Sequence, residues 1–296
     1  MAARGVRKAV IPAAGFGTRL FPATKIIKKE LFPVVDENGI AKPIILAIVE
    51  EALSAGIEKV CLIVQKGDEG LFEDLFNGQL SVEHYNKLPQ RFKEYHDELL
   101  EIGKRVSIIT QDRQEGFGHA VWCAKDWVGD EPFFLMLGDH LYKSSESGVP
   151  CARQLMDMYE KYQTNIVAAQ LTPESLISNF GTLAAAWRDK DDWILGVTEF
   201  CEKPTVDYAK NNLRVEGLPE DQYLCIFGQY ILKPELFRIL EDNIENNVRE
   251  RGEFQLTSAL ETLRQADEFL AYITRGRRFD TGLPNAYLET ITKFGS

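Results

Sequence analysis

The chain has 296 residues, with 34 Lys and Arg against 45 Asp and Glu, which gives a formal net charge of −11. Such an acidic chain is poorly suited to DNA or RNA, because the phosphate backbone favours a basic face; a local cluster of cations can still hold a small anion. Hydrophobic residues make up 45% and charged residues 27%, so the chain can bury a large core and does not have the composition of a disordered protein.

Short apolar runs in the first part of the chain predict buried strands. They show no alternation of polar and apolar residues, which is typical of parallel strands covered on both faces. The runs are residues 8–11, 60–64, 106–109, 133–137 and 166–169.

Segments with a helical period lie between and after these strands. Pro43 opens the first helix, and Gly56 stands where a C-cap glycine is expected. Apolar residues three and four apart predict a second helix over residues 117–128 and a third over 256–263. The polar segment 71–104 is predicted to be a helical excursion on the surface.

Strand-like segments dominate after residue 180, at 182–186, 193–197, 223–231 and 269–273. The alternation of strands and helices in the first half predicts an α/β fold with a Rossmann-like, mostly parallel central sheet flanked by helices. No linker or repeat divides the chain. We therefore expect one domain over 1–296, with a first half at 7–140 and an elaborated second half at 141–296.

The sequence carries no signal for membrane insertion or secretion. The longest apolar run, 43–49, has seven residues, whereas a membrane helix needs roughly 20. Pro12 and Gly15 interrupt the apolar stretch near the N-terminus, which is atypical of a signal peptide. The five cysteines are an odd number without a C-x-x-C pair, which favours reduced thiols and a cytoplasmic location.

A glycine-rich loop, Gly15-Phe-Gly-Thr-Arg19, follows the first predicted strand. Small residues let the backbone approach a ligand, and free N–H groups in such a loop bind phosphate or a base. An ordinary tight turn is the alternative, and neither the third glycine of the dinucleotide fingerprint nor a Walker Gly-Lys-Thr/Ser is present. Lys25, Lys28 and Lys29 follow Arg19, and this cluster of cations in an acidic chain favours polyphosphate binding.

A series of motifs in this order resembles the nucleotidyltransferases that make sugar nucleotides, and among them the bacterial UTP–glucose-1-phosphate uridylyltransferases (UDP-glucose pyrophosphorylases). The motifs are Gly15-Phe-Gly-Thr-Arg19, Pro22-Ala-Thr-Lys25, Lys29-Glu-Leu-Phe-Pro33, Gln111 with Gly116-Phe-Gly-His-Ala-Val121, Leu137-Gly-Asp139, Phe180-Gly181, Glu202-Lys-Pro204, Gly252-Glu-Phe-Gln-Leu-Thr257 and Phe279-Asp-Thr-Gly282. Any one of them alone is weak, but their order along nearly the whole chain is specific.

The resemblance implies roles for individual residues. Arg19 and Lys29 would hold the triphosphate and stabilise the departing pyrophosphate, and Lys203 would contact the sugar phosphate; these three are the candidate catalytic residues. Candidate nucleotide-binding residues are Ala13, Ala14, Gly15, Gly17, Thr18, Glu30, Gln111 and Gly116. Glu30 and Gln111 would read the uracil edge, since a glutamine amide offers both a donor and an acceptor. Candidate sugar-binding residues are Gly138, Gly181 and Glu202.

Asp139 follows the fourth predicted strand. Ligands of open α/β sheets bind at this edge, and a carboxylate there suits Mg²⁺, although Asp is also a common helix N-cap. The resemblance adds Asp280 as the second Mg²⁺ ligand; taken alone, Asp280 would be interpreted as a turn residue.

The resemblance further implies a three-layer fold, a homodimer or homotetramer, and Mg²⁺-dependent transfer of UMP from UTP to glucose 1-phosphate. The sugar phosphate would attack the α-phosphorus directly. Three alternatives remain open: the same chemistry with dTTP, CTP or another sugar, a non-catalytic regulator that binds a sugar nucleotide, and a nicotinamide-dependent oxidoreductase.

Two departures from the family pattern indicate a divergent branch. His140 stands where these enzymes often have a second Asp after Asp139, and we expect it to lie behind the metal ligand or to face solvent. Residues 36–42 are longer than the usual connection to the Pro43 helix. Asn38-Gly39 reads as a turn, which predicts a surface hairpin or a changed subunit contact.

Overall fold

The computed structural model describes residues 5–296. Its strands are β1 (Lys8–Ala13), β2 (Pro33–Val35), β3 (Ala41–Pro43), β4 (Lys59–Gln65), β5 (Val106–Gln111), β6 (Phe133–Met136), β7 (His140–Ser144), β8 (Asn165–Pro173), β9 (Gly181–Asp189), β10 (Ile194–Glu202), β11 (Gln222–Leu232), β12 (Phe269–Ile273) and β13 (Gly276–Asp280). Its α-helices are α1 (Ile44–Ser54), α2 (Glu69–Asn77), α3 (Val82–Lys87), α4 (Gln90–Gly103), α5 (Phe117–Trp122), α6 (Lys125–Val128), α7 (Cys151–Tyr162), α8 (Val206–Asn212), α9 (Glu235–Glu245), α10 (Leu256–Ala266) and α11 (Pro284–Lys293).

The central sheet has nine strands in the order β5-β4-β1-β6-β11-β8-β12-β10-β9. The predicted α/β class is confirmed, and the first four strands in this order are parallel to one another. Beyond them the sheet is mixed, because β11 runs antiparallel to both β6 and β8 while β8 and β12 are parallel. Apolar runs do not distinguish these cases, since an antiparallel strand covered on both faces also lacks alternation.

Both faces of the sheet are buried, which gives three layers. Ala9 and Ile11 of β1 pack in a core with residues of α1, α2 and α7 on one face. Val10, between them, points into a second core that contains residues of α5, α9 and α10. This separation follows from the period of two in a strand, which sends successive side chains to opposite faces.

Two predicted helical regions differ from the structure in detail. Segment 117–128 contains two helices, α5 and α6, because the Ala124 N–H bonds to the carbonyl of Val121, three residues back, where the first helix ends. Segment 71–104 is covered by α2, α3 and α4, but it is not only a surface excursion. Phe72 and Phe76 of α2 are fully buried in the core.

The connection at 36–42 forms a hairpin in which β2 and β3 pair antiparallel. The Asp36 carboxylate accepts hydrogen bonds from the Asn38 and Ile40 N–H groups, each 2.9 Å long, and Gly39 has a φ of 73°. The predicted hairpin is therefore confirmed, with the turn chemistry expected of Asp and Gly.

The five cysteines are free, as predicted. Within residues 5–296, none of the helices combines the length and the apolar character needed to cross a lipid bilayer.

The strand order creates a crevice between β1 and β6. From β1 the chain continues to β4 and β5 on one side, and then returns to place β6 on the other side of β1. The loops that leave the carboxyl ends of β1 and β6 therefore diverge, and open α/β sheets bind their ligands at such a point.

Candidate active site

A cavity of about 590 Å³ opens at this crevice, beyond the carboxyl ends of β1, β5 and β6. It is lined by residues that are far apart in sequence and that the motifs singled out. These are Ala14, Gly15, Gly17, Thr18, Arg19, Lys29, Glu30, Gln111, Gly116, Gly138, Asp139, Gly181, Glu202, Lys203 and Asp280.

Three residues of the sequence analysis do not line the cavity. Ala13 is a buried residue of β1, 2% exposed and paired with Val64. Lys28 donates to Gln65 at 2.9 Å and pairs with Asp68 at 2.6 Å, away from the cavity. Lys25 is exposed and is also absent from the lining. Of the four clustered cations, only Arg19 and Lys29 thus reach the site.

Two glycines are required by the packing of the cavity wall. Gly116 has a φ of 114°, and a Cβ there would come within 2.7 Å of the Phe254 carbonyl oxygen. A Cβ on Gly138 would lie 2.4 Å from the Pro12 carbonyl oxygen. Only glycine fits either position, so the Gly116 loop can approach the Phe254 backbone and the Gly138 loop can approach β1 closely.

A partly buried ion pair lines the cavity. The Lys29 ammonium contacts the Asp139 carboxylate and lies 3.4 Å from Glu30. Burial alone would lower the pKa of Lys29, but the two carboxylates outweigh it and raise that pKa. Burial likewise works against ionised Asp139, yet Lys29 holds its pKa well below the usual range. Both groups are therefore charged at neutral pH.

Glu30 differs from this pair. Its side chain is 1% exposed, and its Oε2 has no hydrogen-bond partner among the described residues. Burial raises the pKa of Glu30 to about 7, against the pull of Lys29. A buried, incompletely partnered carboxyl in a cleft is typical of a functional group.

The predicted metal ligands approach each other around Gly282. A Cβ built there would lie 3.1 Å from Asp280 Oδ1, 3.2 Å from Asp139 Oδ2 and 3.2 Å from Arg19 Nη2. His140 is buried between the two carboxylates, with its Nε2 3.9 Å from Asp280 and 4.0 Å from Asp139. Its side chain is 8% exposed and borders the cavity, so the expectation that it faces solvent is not met.

This donor set fits Mg²⁺ bound together with a substrate. Within residues 5–296, no three His, Cys, Asp or Glu side chains converge on one point. Two carboxylates are nevertheless what Mg²⁺ commonly takes from a protein, the remaining ligands being water and substrate phosphates. The lining also holds five carboxylates and only four Lys or Arg side chains, so its own cations do not neutralise a triphosphate.

Glu202 and Lys203 also line the cavity. Glu202 accepts a 2.7 Å hydrogen bond from the Thr257 hydroxyl and lies 3.1 Å from the Lys203 ammonium. Lys203 has a φ of 47°, a left-handed conformation that is rare for a residue before proline. Such strain is concentrated at functional sites and directs a side chain that an ordinary strand would point elsewhere.

Arg278 is a lining residue that the sequence analysis missed. Its guanidinium is buried, donates to the Ile226 carbonyl and lies 3.9 Å from the centre of the Phe180 ring. Burial lowers the pKa of Arg278, opposed by Asp280. Its position two residues before Asp280 on β13, which places both side chains on one face, was the available signal.

The fold and this cavity define a class of enzymes: those that bind a nucleoside triphosphate at a Rossmann-like switch point and an anionic acceptor beside it. The comparison with known families agrees, since the model of the nucleotidyl transferase family matches residues 8–295. The chain belongs to that family and is a nucleotidyltransferase.

Individual relatives are more specific. The chain is 38% identical to the UTP–glucose-1-phosphate uridylyltransferase of Bacillus subtilis strain 168, over 98% of this chain and 91% of that protein. It is similar to a UDP-glucose pyrophosphorylase crystallised with UDP-glucose, with a TM-score of 0.79, 28% identity and 98% of each chain covered. It is also similar to the UTP-bound enzyme of Acinetobacter baumannii, with a TM-score of 0.75, 30% identity and coverage of 98% and 96%. The resemblance predicted from the sequence is confirmed.

Proposed function

We propose that this chain transfers UMP from UTP to glucose 1-phosphate, which yields UDP-glucose and pyrophosphate. The observation that carries the proposal is the meeting of three groups in one cavity. Arg19, Lys29, Asp139 and Asp280 supply charges suited to phosphates and a cation, Gln111 and Gly116 supply polar groups suited to a base, and Glu202 with Lys203 supplies groups suited to a sugar phosphate. The substrates are those for which its relatives, the UTP–glucose-1-phosphate uridylyltransferases, are named.

The reaction joins two anions, so the protein must hold them in line and neutralise their charge. An oxygen of the sugar phosphate attacks the α-phosphorus of UTP, and the bond from that phosphorus to the α,β-bridging oxygen breaks. Arg19 and Lys29 stabilise the charge that collects on the departing pyrophosphate. Lys203 holds the attacking phosphate, while Glu202 accepts hydrogen bonds from sugar hydroxyls.

No general base is needed for this step. The second pKa of a phosphate monoester is roughly 6, so the attacking oxygen is already ionised near neutral pH. Asp139 and Asp280 would hold Mg²⁺, which supplies positive charge next to the phosphate oxygens when it is bound. The protein's own part is positioning and electrostatic stabilisation, as in other phosphoryl-transfer sites.

The test is pyrophosphate release from a panel of UTP, dTTP, CTP, ATP and GTP, each with glucose 1-phosphate, with and without Mg²⁺. We expect Mg²⁺-dependent release with UTP and little with CTP, ATP or GTP. Reactions without the sugar phosphate control for hydrolysis, and galactose 1-phosphate replaces glucose 1-phosphate to test the acceptor. Release with another nucleotide alone would keep the reaction class and overturn the base assignment; no release with any sugar phosphate would overturn the catalytic function.

A further inference from the structure

The side-chain amide of Gln111 is held by two groups of the protein itself. Gln111 is the last residue of β5 and is 3% exposed. Its Nε2 lies 3.2 Å from the Gly116 carbonyl oxygen and 2.9 Å from Nδ1 of His119. Both contacts converge on one atom of the amide, and the other end lines the cavity.

The Gly116 contact decides which amide atom this is. A carbonyl oxygen only accepts hydrogen bonds, so an amide oxygen placed beside it would be repelled, whereas the NH₂ group can donate. The amide nitrogen has two hydrogens, one for Gly116 and one for His119. Its donors are thereby used, and the group that remains for a ligand is the acceptor Oε1.

The same argument fixes the tautomer of His119. Because Nδ1 accepts from Gln111, the ring proton is on Nε2, which lies 3.8 Å from the Glu115 carboxylate. Glu115 is in turn paired with Arg249 at 2.7 Å, and Arg249 packs 4.0 Å from the centre of the Phe254 ring.

Two further properties hold the His119 ring in place and keep it neutral. Its ring stacks on Trp122, with the centroids 5.8 Å apart. Burial lowers the pKa of His119, opposed by Glu115, so the ring stays neutral and Nδ1 stays an acceptor at neutral pH.

We propose that His119 is a positioning residue that holds the Gln111 amide with its oxygen toward the base and so makes the site select uracil over cytosine. This inference rests on the proposed function. Uracil presents a hydrogen-bond donor at N3, which matches Oε1 of Gln111. Cytosine presents an acceptor at N3, and a fixed Oε1 repels it. A site whose polar groups are held in one orientation discriminates strongly between such bases.

The experiment compares His119→Leu with His119→Asn. The two side chains are similar in size and branching, but only Asn places an acceptor, Oδ1, where Nδ1 of His119 lies. The readout is the ratio of kcat/KM for UTP to kcat/KM for CTP, which does not depend on the fraction of active protein. We expect His119→Leu to lower this ratio roughly tenfold and His119→Asn to keep it within about threefold.

Thymine also carries the N3 donor, so the UTP to dTTP ratio should stay nearly constant in both variants and serves as an internal control. If His119→Leu gives no active protein, His119→Phe, which keeps a ring against Trp122, takes its place with the same expectation.

Equal UTP to CTP ratios in the Leu, Asn and unsubstituted proteins would overturn the role of His119, as would an equal fall in both variants. A protein that uses UTP and CTP equally before any substitution would also overturn it while leaving nucleotidyl transfer intact. Absence of all turnover with UTP would instead refute the proposed function, and the inference with it.

Discussion

Lys29 and Lys42 are each held by two carboxylates, but the two networks are built differently. Lys42 at the hairpin lies 2.8 Å from Asp36 and 2.6 Å from Glu50. The remaining oxygens are also partnered, since Asp36 accepts from two backbone N–H groups and Glu50 accepts from the Tyr95 hydroxyl at 2.5 Å.

The Lys29 network is open by comparison. It borders the cavity, and the buried Oε2 of Glu30 has no partner within the described residues. A fully partnered network offers nothing to a ligand and stabilises a fixed structure, whereas an incompletely partnered one keeps binding capacity at a cost in stability. Similar residue types thus serve stability in one region and the site in the other.

The largest effect should come from Asp139→Asn, which removes the negative charge that pairs with Lys29 and that would bind Mg²⁺. We expect kcat/KM to fall roughly 10³-fold with the fold intact. Pyrophosphate release and thermal unfolding measure the two properties, and Asp157→Asn on the exposed face of α7 is the control. Near-normal Mg²⁺-dependent activity in Asp139→Asn would remove the proposed metal site.

Exchanging each lysine for methionine tests whether the two networks differ in their effects on stability and activity. Lys42→Met leaves two carboxylates without their cation and should lower the free energy of unfolding by about 3 kcal/mol, with activity nearly unchanged. Lys29→Met should instead lower activity roughly 10²-fold and cost less stability, because Glu30 readily takes up a proton. Urea unfolding checks this, with the exposed Lys87→Met expected to change stability by less than about 0.5 kcal/mol. The contrast fails if both substitutions cost the same stability.

The pKa of Glu30 predicts a pH-dependent change in stability, similar in size to the change expected for Lys42→Met. Its rise from 4.5 to about 7 means that the native state binds the proton more tightly than the unfolded chain. The contribution of Glu30 to the free energy of unfolding is therefore fully present below pH 4.5. It is lost as the pH rises through 7, by up to about 3 kcal/mol.

Glu30→Gln removes this loss, so the variant should gain stability relative to the parent between pH 5 and pH 8. Urea unfolding at several pH values measures the gain. Burial also raises the pKa of Glu51 to about 7, so Glu51 lowers the stability of both proteins over the same pH range. The difference between the two proteins therefore reports on Glu30. A stability difference between the two proteins that does not vary with pH would contradict the assignment.

A smaller effect is expected at Lys203, the proposed contact to the sugar phosphate. Lys203→Ala should raise the KM for glucose 1-phosphate roughly tenfold and leave the KM for UTP within about twofold, because a single charge-assisted contact is lost. Lys210→Ala is a matched control, since both lysine side chains are 45% exposed and paired with a glutamate. Unchanged kinetics for the sugar phosphate would refute the role of Lys203.

Much of the first half of the sheet could be predicted from sequence, and less of the second. The runs at 8–11 and 60–64 lie within parallel strands, as expected, because strand and helix alternate there and right-handed connections leave few arrangements. The run at 166–169 also forms a strand, but its antiparallel pairing with β11 involves residues some 60 positions later. No local pattern encodes such a partner.

The class of reaction and most of the residues around the cavity could be inferred from local sequence motifs, since glycine loops and the residues beside them are contiguous in the chain. Which cations face the cavity depends instead on how distant parts of the chain pack together. Lys28 and Lys29 are neighbours, yet one pairs with Asp68 and the other with Asp139. Likewise His119 and Arg278 acquire their partners through contacts between separate elements. Such contacts depend on the order of the strands and on the direction of each side chain. Both are set by the packing of the whole chain.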